Sequence, residues 1–253
     1  MIEPVITLYK NEGETPLECL ERFRAHNPEY ENVPLSYMGR LDPMASGILL
    51  VIAGEENKNR EKYLGLPKEY DCEILFGVST DTYDVLGLVD EINKQLDESE
   101  IQTRVKKLIP DFVGMYKQTY PPFSSKTVDG TPLFQHSRNG TIDLENLPSH
   151  EVRVSSIDIL SWSSISADDL QKQIEERIYR VSGDFRQDEI LETWEQNLKK
   201  SATFFPIIKL HISASSGFYV RTFAHELGKR AGIPALALTI VRTKIGEYTE
   251  AKY

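Results

Sequence analysis

Cysteine is scarce: Cys19 and Cys72 are the only two in the chain, and no cluster of His or further Cys accompanies either. Zinc-ligand spacing is therefore absent, and the expectation is two buried, reduced thiols and no bound metal. Long apolar runs are missing as well. The longest, residues 47–54, falls far short of the roughly 20 residues that span a bilayer. The first residues, Met1-Ile2-Glu3-Pro4, offer neither the basic nor the apolar segment that directs secretion, so a cytoplasmic location is expected. The 15 glycines and 13 prolines follow no period, which excludes a collagen-like or low-complexity chain. Positive charge is also short: 29 Lys and Arg face 39 Asp and Glu, for a net charge of −10. Taken as an average, that balance points away from nucleic acid.

What is present fits an ordinary globular protein: 253 residues, 40% apolar and 27% charged, enough for a substantial core. Thr15-Pro16-Leu17-Glu18 combines a hydroxyl cap, a proline at the first helical position and a glutamate placed to close a capping box. With Leu17, Leu20 and Phe23 at helical spacing, it predicts a helix over 16–26. Residues 48–53 read as a buried strand, and Tyr70, Cys72, Ile74 and Phe76 alternate with polar residues as a second strand with one apolar face. A short helix is expected over 99–108, then a Pro- and Gly-containing loop over about 110–141. Strand patterns return at 151–160 and 207–214, and a last one over 240–248. Between them, 168–180 and 187–200 carry helical periodicity around Ser182-Gly183, a helical hairpin at about 163–202. A helix with Phe223 and Leu227 on one face would carry Arg221, His225 and Lys229 on the other. Strands and helices mix without regular βαβ alternation, so the expected class is α+β, with a mixed, mainly antiparallel central sheet in one domain spanning 1–253.

Four constellations carry candidate chemistry. Gly39-Arg40-Leu41-Asp42-Pro43-Met44-Ala45-Ser46-Gly47 sets an acid in a tight loop ahead of the apolar strand. Asp42-Pro43 is either a turn with a self-capping carboxylate or a nucleophile held above a rigid strand. Tyr70 is either core or a platform, and the downstream Asp81-Thr82-Tyr83-Asp84 reads as a turn, without the oxygen-ligand spacing of a calcium loop. The polar loop from Lys117 to Arg138, with Tyr120, Phe123 and Lys126, is either solvated surface or a strand-gripping element in which aromatics stack on bases and cations meet phosphates. In Gly217-Phe218-Tyr219-Val220-Arg221-Thr222, Arg221 either pairs with Glu226 or water, or sits beside a carboxylate and favours its ionised form. Arg242 is open in the same way.

Together and in this order, these blocks resemble the TruB family of RNA pseudouridine synthases, from about residue 5 to residue 248. Gly39-x-Leu41-Asp42-Pro43-x-Ala45-x-Gly47 is similar to the segment around that family's catalytic aspartate. Lys68-x-Tyr70 with Gly77-x-x-Thr80-Asp81-Thr82-x-Asp84-x-x-Gly87 is similar to its second block. Gln118, Pro121-Pro122, Ser124, Lys126, Gly130 and Arg138-x-Gly140 echo a third, and Gly217-x-Tyr219-Val220-Arg221-Thr222 with Leu227-Gly228 a fourth. The resemblance implies that Asp42 is the nucleophile, that Tyr70 stacks on the flipped uridine and assists proton removal, and that Arg221 pairs with Asp42. It also implies that Lys126, Arg138, Tyr219, Ile240 and Arg242 bind substrate, with no cofactor; Tyr37 and Arg40, where the pattern departs, are expected to join them. Base flipping fits such a site, because an enzyme acting on a stacked base must extrude it into a pocket.

Three departures stand out. Tyr37 occupies the place of the family's histidine five residues before the aspartate. Arg40-Leu41-Asp42 looks more like the RluA branch, in which that arginine takes part in flipping, so Arg40 with Tyr37 is expected to replace the histidine. The chain also leaves no room for the C-terminal RNA-binding (PUA-type) domain that many relatives carry, and the hairpin at 163–202 either substitutes for it or only covers the core. The expected activity is uridine-to-pseudouridine isomerisation in RNA, at the T-loop uridine of tRNA, by a monomer that needs no metal or membrane. The alternatives are a ribosomal-RNA synthase and a non-catalytic RNA-binding or RNA-folding module.

The charge then resolves by region. Residues 81–100 carry a net −6 and 165–200 a net −3, whereas 117–138 carry +2 and 217–244 carry +4. The positive stretches coincide with motif blocks, which predicts a narrow footprint on phosphates.

Overall fold

Thr15 and Glu18 form the capping box that the sequence prescribes: Glu18 N–H donates to Thr15 Oγ1 at 3.2 Å and Thr15 N–H to Glu18 Oε2 at 2.6 Å. Such a cap contributes about 1 kcal/mol to a helix. It opens α1 (Pro16–His26), which buries Cys19, Leu20 and Phe23 against β1 (Val5–Lys10). The computed structural model describes residues 2–199 and 203–253.

After α1 the chain runs through β2 (Leu35–Tyr37), β3 (Ala45–Ala53), the single turn α2 (Glu61–Leu64) and β4 (Lys68–Phe76). A small ribbon of β5 (Val78–Thr80) and β6 (Val89–Ile92) precedes α3 (Glu98–Leu108). Next come β7 (Gly114–Thr119), the two-residue strands β8 (Thr127–Val128) and β9 (Thr131–Pro132), and α4 (Leu133–Arg138). The chain continues with β10 (Ser149–Ser166), α5 (Ala167–Ile178), α6 (Gln187–Leu198), β11 (Phe204–Ala214), α7 (Val220–Ala231) and β12 (Ala235–Ile245).

The main sheet has the order β1-β3-β12-β4-β11-β10-β7, with β2 added beside β3. Every pairing in it is antiparallel except β12 with β3. The class is α+β with a mixed, mainly antiparallel sheet. Tyr70, Cys72, Ile74 and Phe76 face a core built with β11, β12, α3 and α7, while Leu75 faces the opposite side, where α5 and α6 pack. The intervening acids of β4 form a charged outer ladder, with Glu69 2.9 Å from Lys244 and Asp71 2.7 Å from His211. Both cysteines are buried free thiols.

The parallel join is what brings the site together. Arg242 of β12 pairs with Gly47 of β3, and a Cβ on Gly47 would lie 2.3 Å from the Arg242 carbonyl oxygen. Only glycine, here at φ +107°, lets the two backbones run this close.

The structure departs from the sequence expectations in several places. The stretch read as a loop over 110–141 contains β7, an edge strand whose outward residues Met115 and Lys117 are exposed and whose inward Gln118 is polar, so no apolar alternation marks it. β10 runs on to Ser166, past the last apolar residue of the pattern, because its serines pair with β11. β12 begins at Ala235 and ends at Ile245, earlier than 240–248, since small alanines fill its packed inner face. Of the helix expected over 187–200, residues 187–198 are α6, and Lys200 lies outside the described residues with 201–202.

Candidate active site

The turn that carries Asp42 is held from three sides. Ala45 N–H donates back to Asp42 O at 3.0 Å and leads into β3. Gly13 N–H and the Lys10 ammonium both donate to Pro43 O, at 2.9 and 3.3 Å, and Lys10 also donates to the carbonyls of Asn11 and Glu14. Burial pushes the Lys10 ammonium down to about 8, against the pull of Glu14. From β12, buried Arg242 donates to Ile48 O at 2.8 Å, Gly39 O at 3.1 Å and Arg40 O at 3.3 Å. Gly39, at φ +84°, turns its carbonyl toward that guanidinium.

Arg221 reaches the same turn from the first turn of α7. It does not lie on the solvated face that helical spacing assigned to it: its side chain is 4% exposed, whereas that of Asp42 is 37% exposed. Its Nε donates to Asp42 Oδ2 at 2.8 Å, one Nη to Thr82 O at 2.7 Å and the other to Phe123 O at 3.2 Å. Asp84 Oδ2 lies 3.6 Å from the same Nε. Burial works against the arginine's charge, but Asp42 and Asp84 outweigh it and raise its pKa. Burial also raises the pKa of Asp84, opposed by Arg221 and reinforced by Asp42. The result is a buried cation fixed by two carbonyls, with one carboxylate open to solvent and one enclosed.

Tyr70 is buried on β4, opposite Arg242 in the strand register, with Phe218 at 6.5 Å between ring centres. Burial raises its phenol pKa, Arg242 pulls it back and Asp42 adds to the rise. The phenol is therefore neutral near pH 7. Tyr219, the residue before α7, is half-buried, and burial together with Asp42 raises its pKa to about 12. Gln118 clamps its backbone, accepting from Tyr219 N–H at 2.8 Å and donating to Tyr219 O at 3.1 Å. Ile240 is buried between Cys72 of β4 and Ala45 of β3.

The other candidates lie farther out. Arg40 is exposed, and Tyr37 packs on the α1 core cluster. Lys126 sits 5.2 Å over the Tyr120 ring, which stacks on His150 at 4.2 Å and meets Tyr219 at 5.8 Å. Arg138 turns away to the α5–α6 connection, where it donates to Asp184 O and lies 3.7 Å from that carboxylate.

Four groups were given no role at the site by sequence reasoning, although Lys68 and Asp84 stand in the quoted motifs. Asp84 looked like a turn acid; the apolar Val85-Leu86 after it was the available sign that its loop is buried. Lys10 ends β1 and Lys68 begins β4, and burial lowers Lys68 to about 8 while it donates to Leu64 O, Leu66 O and Ser216 Oγ. The Phe123 carbonyl leaves no mark on a sequence. Among the described residues, no group of three or more His, Cys, Asp or Glu is arranged to hold a metal ion. A carboxylate reachable from solvent, oriented by a buried guanidinium beside a neutral aromatic ring, is suited to nucleophilic attack on an aromatic substrate.

Comparison with known proteins places the chain in a family. A family model described as TruB family pseudouridylate synthase (N terminal domain) matches residues 30–180, more than half of the chain. The tRNA pseudouridine synthase B of Aquifex aeolicus (strain VF5) is 27% identical over 248 residues, covering 97% of this chain and 69% of the relative. That of Ureaplasma urealyticum is 29% identical, covering 85% and 75%. Among solved structures, a chain of a Cbf5-Nop10-Gar1 complex superposes with a TM-score of 0.57 at 16% identity, covering 98% of this chain. A chain of an H/ACA RNP bound to a substrate RNA containing 2'-deoxyuridine gives 0.53 at 17% identity. This chain spans about half the length of either, 50% and 49%, and at such identity the likeness is one of fold.

Proposed function

The chain belongs to the TruB family of pseudouridylate synthases, and from that premise we propose that it isomerises uridine to pseudouridine in RNA, at the T-loop uridine of tRNA. The observation that carries the reading is the 2.8 Å contact between Arg221 Nε and Asp42 Oδ2 in a turn that leaves the carboxylate open to solvent. In this reading Asp42 attacks the extruded nucleotide and the bond from the ribose C1' to base N1 breaks. The freed base rotates, C1' bonds to C5, and the bond that Asp42 made to the nucleotide breaks, which returns the free carboxylate. The C5 proton is lost and N1 gains one, so the reaction is an isomerisation that balances without a co-reactant. Tyr70, a neutral phenol, is the stacking platform for the base, with Ile240 on the same lining. Arg242 holds the backbone at Gly39 and Arg40. Tyr219 and Lys126 border the entry, Arg138 stays engaged at Asp184 in the α5–α6 connection, and Arg40 with Tyr37 does the work of displacing the target base.

One chain supplies both Asp42 and Arg221, so a monomer suffices, as one catalytic domain with the α5–α6 pair inserted between β10 and β11. The substrate class assigns the reaction to the cytoplasm, where Cys19 and Cys72 stay reduced. A ribosomal-RNA substrate is the second reading, favoured by Arg40-Leu41-Asp42.

The test is tritium release from transcripts labelled at uridine C5. Wild type should release tritium from tRNA and Asp42→Asn should not. Release only from ribosomal-RNA fragments selects the second reading, and no release from either class overturns the enzyme.

A further inference from the structure

The connection between α5 and α6 ends on a residue in an unusual state. Arg186 has φ +63°, a left-handed conformation that costs a non-glycine residue about 1 kcal/mol or more. Its side chain explains why the backbone is held there. It is 22% exposed and donates through Nη1 to Asp81 Oδ2 at 2.8 Å, while its guanidinium carbon lies 4.6 Å over the Phe123 ring.

Both partners lead directly to Arg221. Asp81 precedes Thr82, whose carbonyl accepts from one Arg221 Nη, and the Phe123 carbonyl accepts from the other. Asp81 is itself seated in its turn by Leu88 N–H on Oδ1 at 2.9 Å. The helices behind Arg186 provide a fixed base: buried Arg177 of α5 grips Glu12 through two 2.8 Å bonds and Leu238 O at 2.7 Å.

We propose that Arg186 is a positioning residue that sets the two carbonyl acceptors of Arg221, and through them the aim of Arg221 Nε at Asp42. The inserted helices thus serve the reaction centre from behind. A guanidinium has five donors in a rigid fork. With two of its arms fixed on carbonyls, the direction of Nε is fixed as well. Removing Arg186 takes from Asp81 its ion-pair partner, leaving only Leu88 N–H on Oδ1, and frees the Phe123 ring, so both acceptors shift. Small misplacements at a reacting centre cost rate more than they cost binding.

The kinetic part of the test rests on the proposed activity, and a second readout does not. In the full-length chain, Arg186→Gln and Asp81→Asn should each lower kcat for tritium release about tenfold, with KM for the tRNA transcript and the salt slope of binding unchanged. The double variant should fall no further than either single one, and Arg186→Lys, which keeps the charge, should recover most of the rate. A raised KM or altered salt slope at unchanged kcat makes Arg186 an RNA contact and overturns the proposal, as does an unaltered rate. The second readout is the 15N resonance of the Arg221 Nε–H, identified by its loss in Arg221→Lys. Faster hydrogen exchange there in Arg186→Gln supports the proposal, and unchanged exchange overturns it. This holds even if the wild type acts on no RNA, which would remove the functional reading alone. Should Arg186→Gln not fold, Asp81→Asn breaks the same pair and is measured in the same two ways.

Discussion

Asp84 and Asp42 share one cation: Arg221 Nε donates to Asp42 Oδ2 at 2.8 Å while Asp84 Oδ2 stands 3.6 Å away. An arginine divided between two anions holds each less firmly than it would hold one. Asp84→Asn keeps an acceptor for Leu86 N–H, which donates to Oδ1 at 2.9 Å, but removes the second charge. Arg221 is then committed to Asp42, whose carboxylate becomes a poorer nucleophile. We expect kcat to fall at least about tenfold with KM for RNA unchanged and thermal stability nearly preserved. Single-turnover tritium release measures this, and an unaltered rate would show that the second charge does not act on Asp42.

Arg40 separates flipping from folding. Its side chain is exposed, and only its carbonyl is engaged, by Arg242 at 3.3 Å. Arg40→Ala should therefore leave the unfolding free energy within about 0.5 kcal/mol of wild type. If the side chain helps to displace the target base, kcat/KM on folded tRNA falls about tenfold or more, and falls less on a short unstructured RNA whose base needs no extraction. Equal losses on both substrates, or none, would deny Arg40 that role.

Glu226 on α7 gives a pH signature. Burial raises its pKa to about 7, against the pull of Arg230, the Thr119 N–H and Lys229, and its Oε2 is buried without a partner. The folded pKa lies above the unfolded value, so between about pH 4.5 and 7 the folded state binds more protons and stability falls as pH rises. In Glu226→Gln that component of the slope should vanish, leaving the variant more stable at pH 8 by about 1–2 kcal/mol, a figure reduced because the group is only half-buried. Urea midpoints of both proteins across this range provide the check. Parallel curves would place the raised value elsewhere.

Local rules carried much of the chain. Thr15, Pro16 and Glu18 determined where α1 begins, because a capping box is satisfied within four residues. The alternation of Tyr70, Cys72, Ile74 and Phe76 determined which face of β4 enters the core. The α5 and α6 periodicities were legible for the same reason: apart from Arg177, their buried positions are apolar. β7 was not legible, since its inward residue Gln118 is polar and finds its partner in Tyr219, a hundred residues away in the chain. Asp84 was missed likewise, because its burial comes from elements distant in sequence.

The motifs placed Asp42, Tyr70, Arg221 and Arg242 in the chain as candidates, each with two readings open. Sequence by itself determined the local elements, the α+β class and the family likeness, all of which depend on neighbours a few residues apart or on order along the chain. The tertiary structure alone decided that Arg221 turns inward to Asp42 rather than out to water, that Asp84 joins it, and that Arg186 abuts its acceptors. Those arrangements depend on the parallel join of β12 to β3 and on helices packed across the sheet. A guanidinium takes the acceptors the fold brings within about 3 Å, and no local pattern encodes which those are.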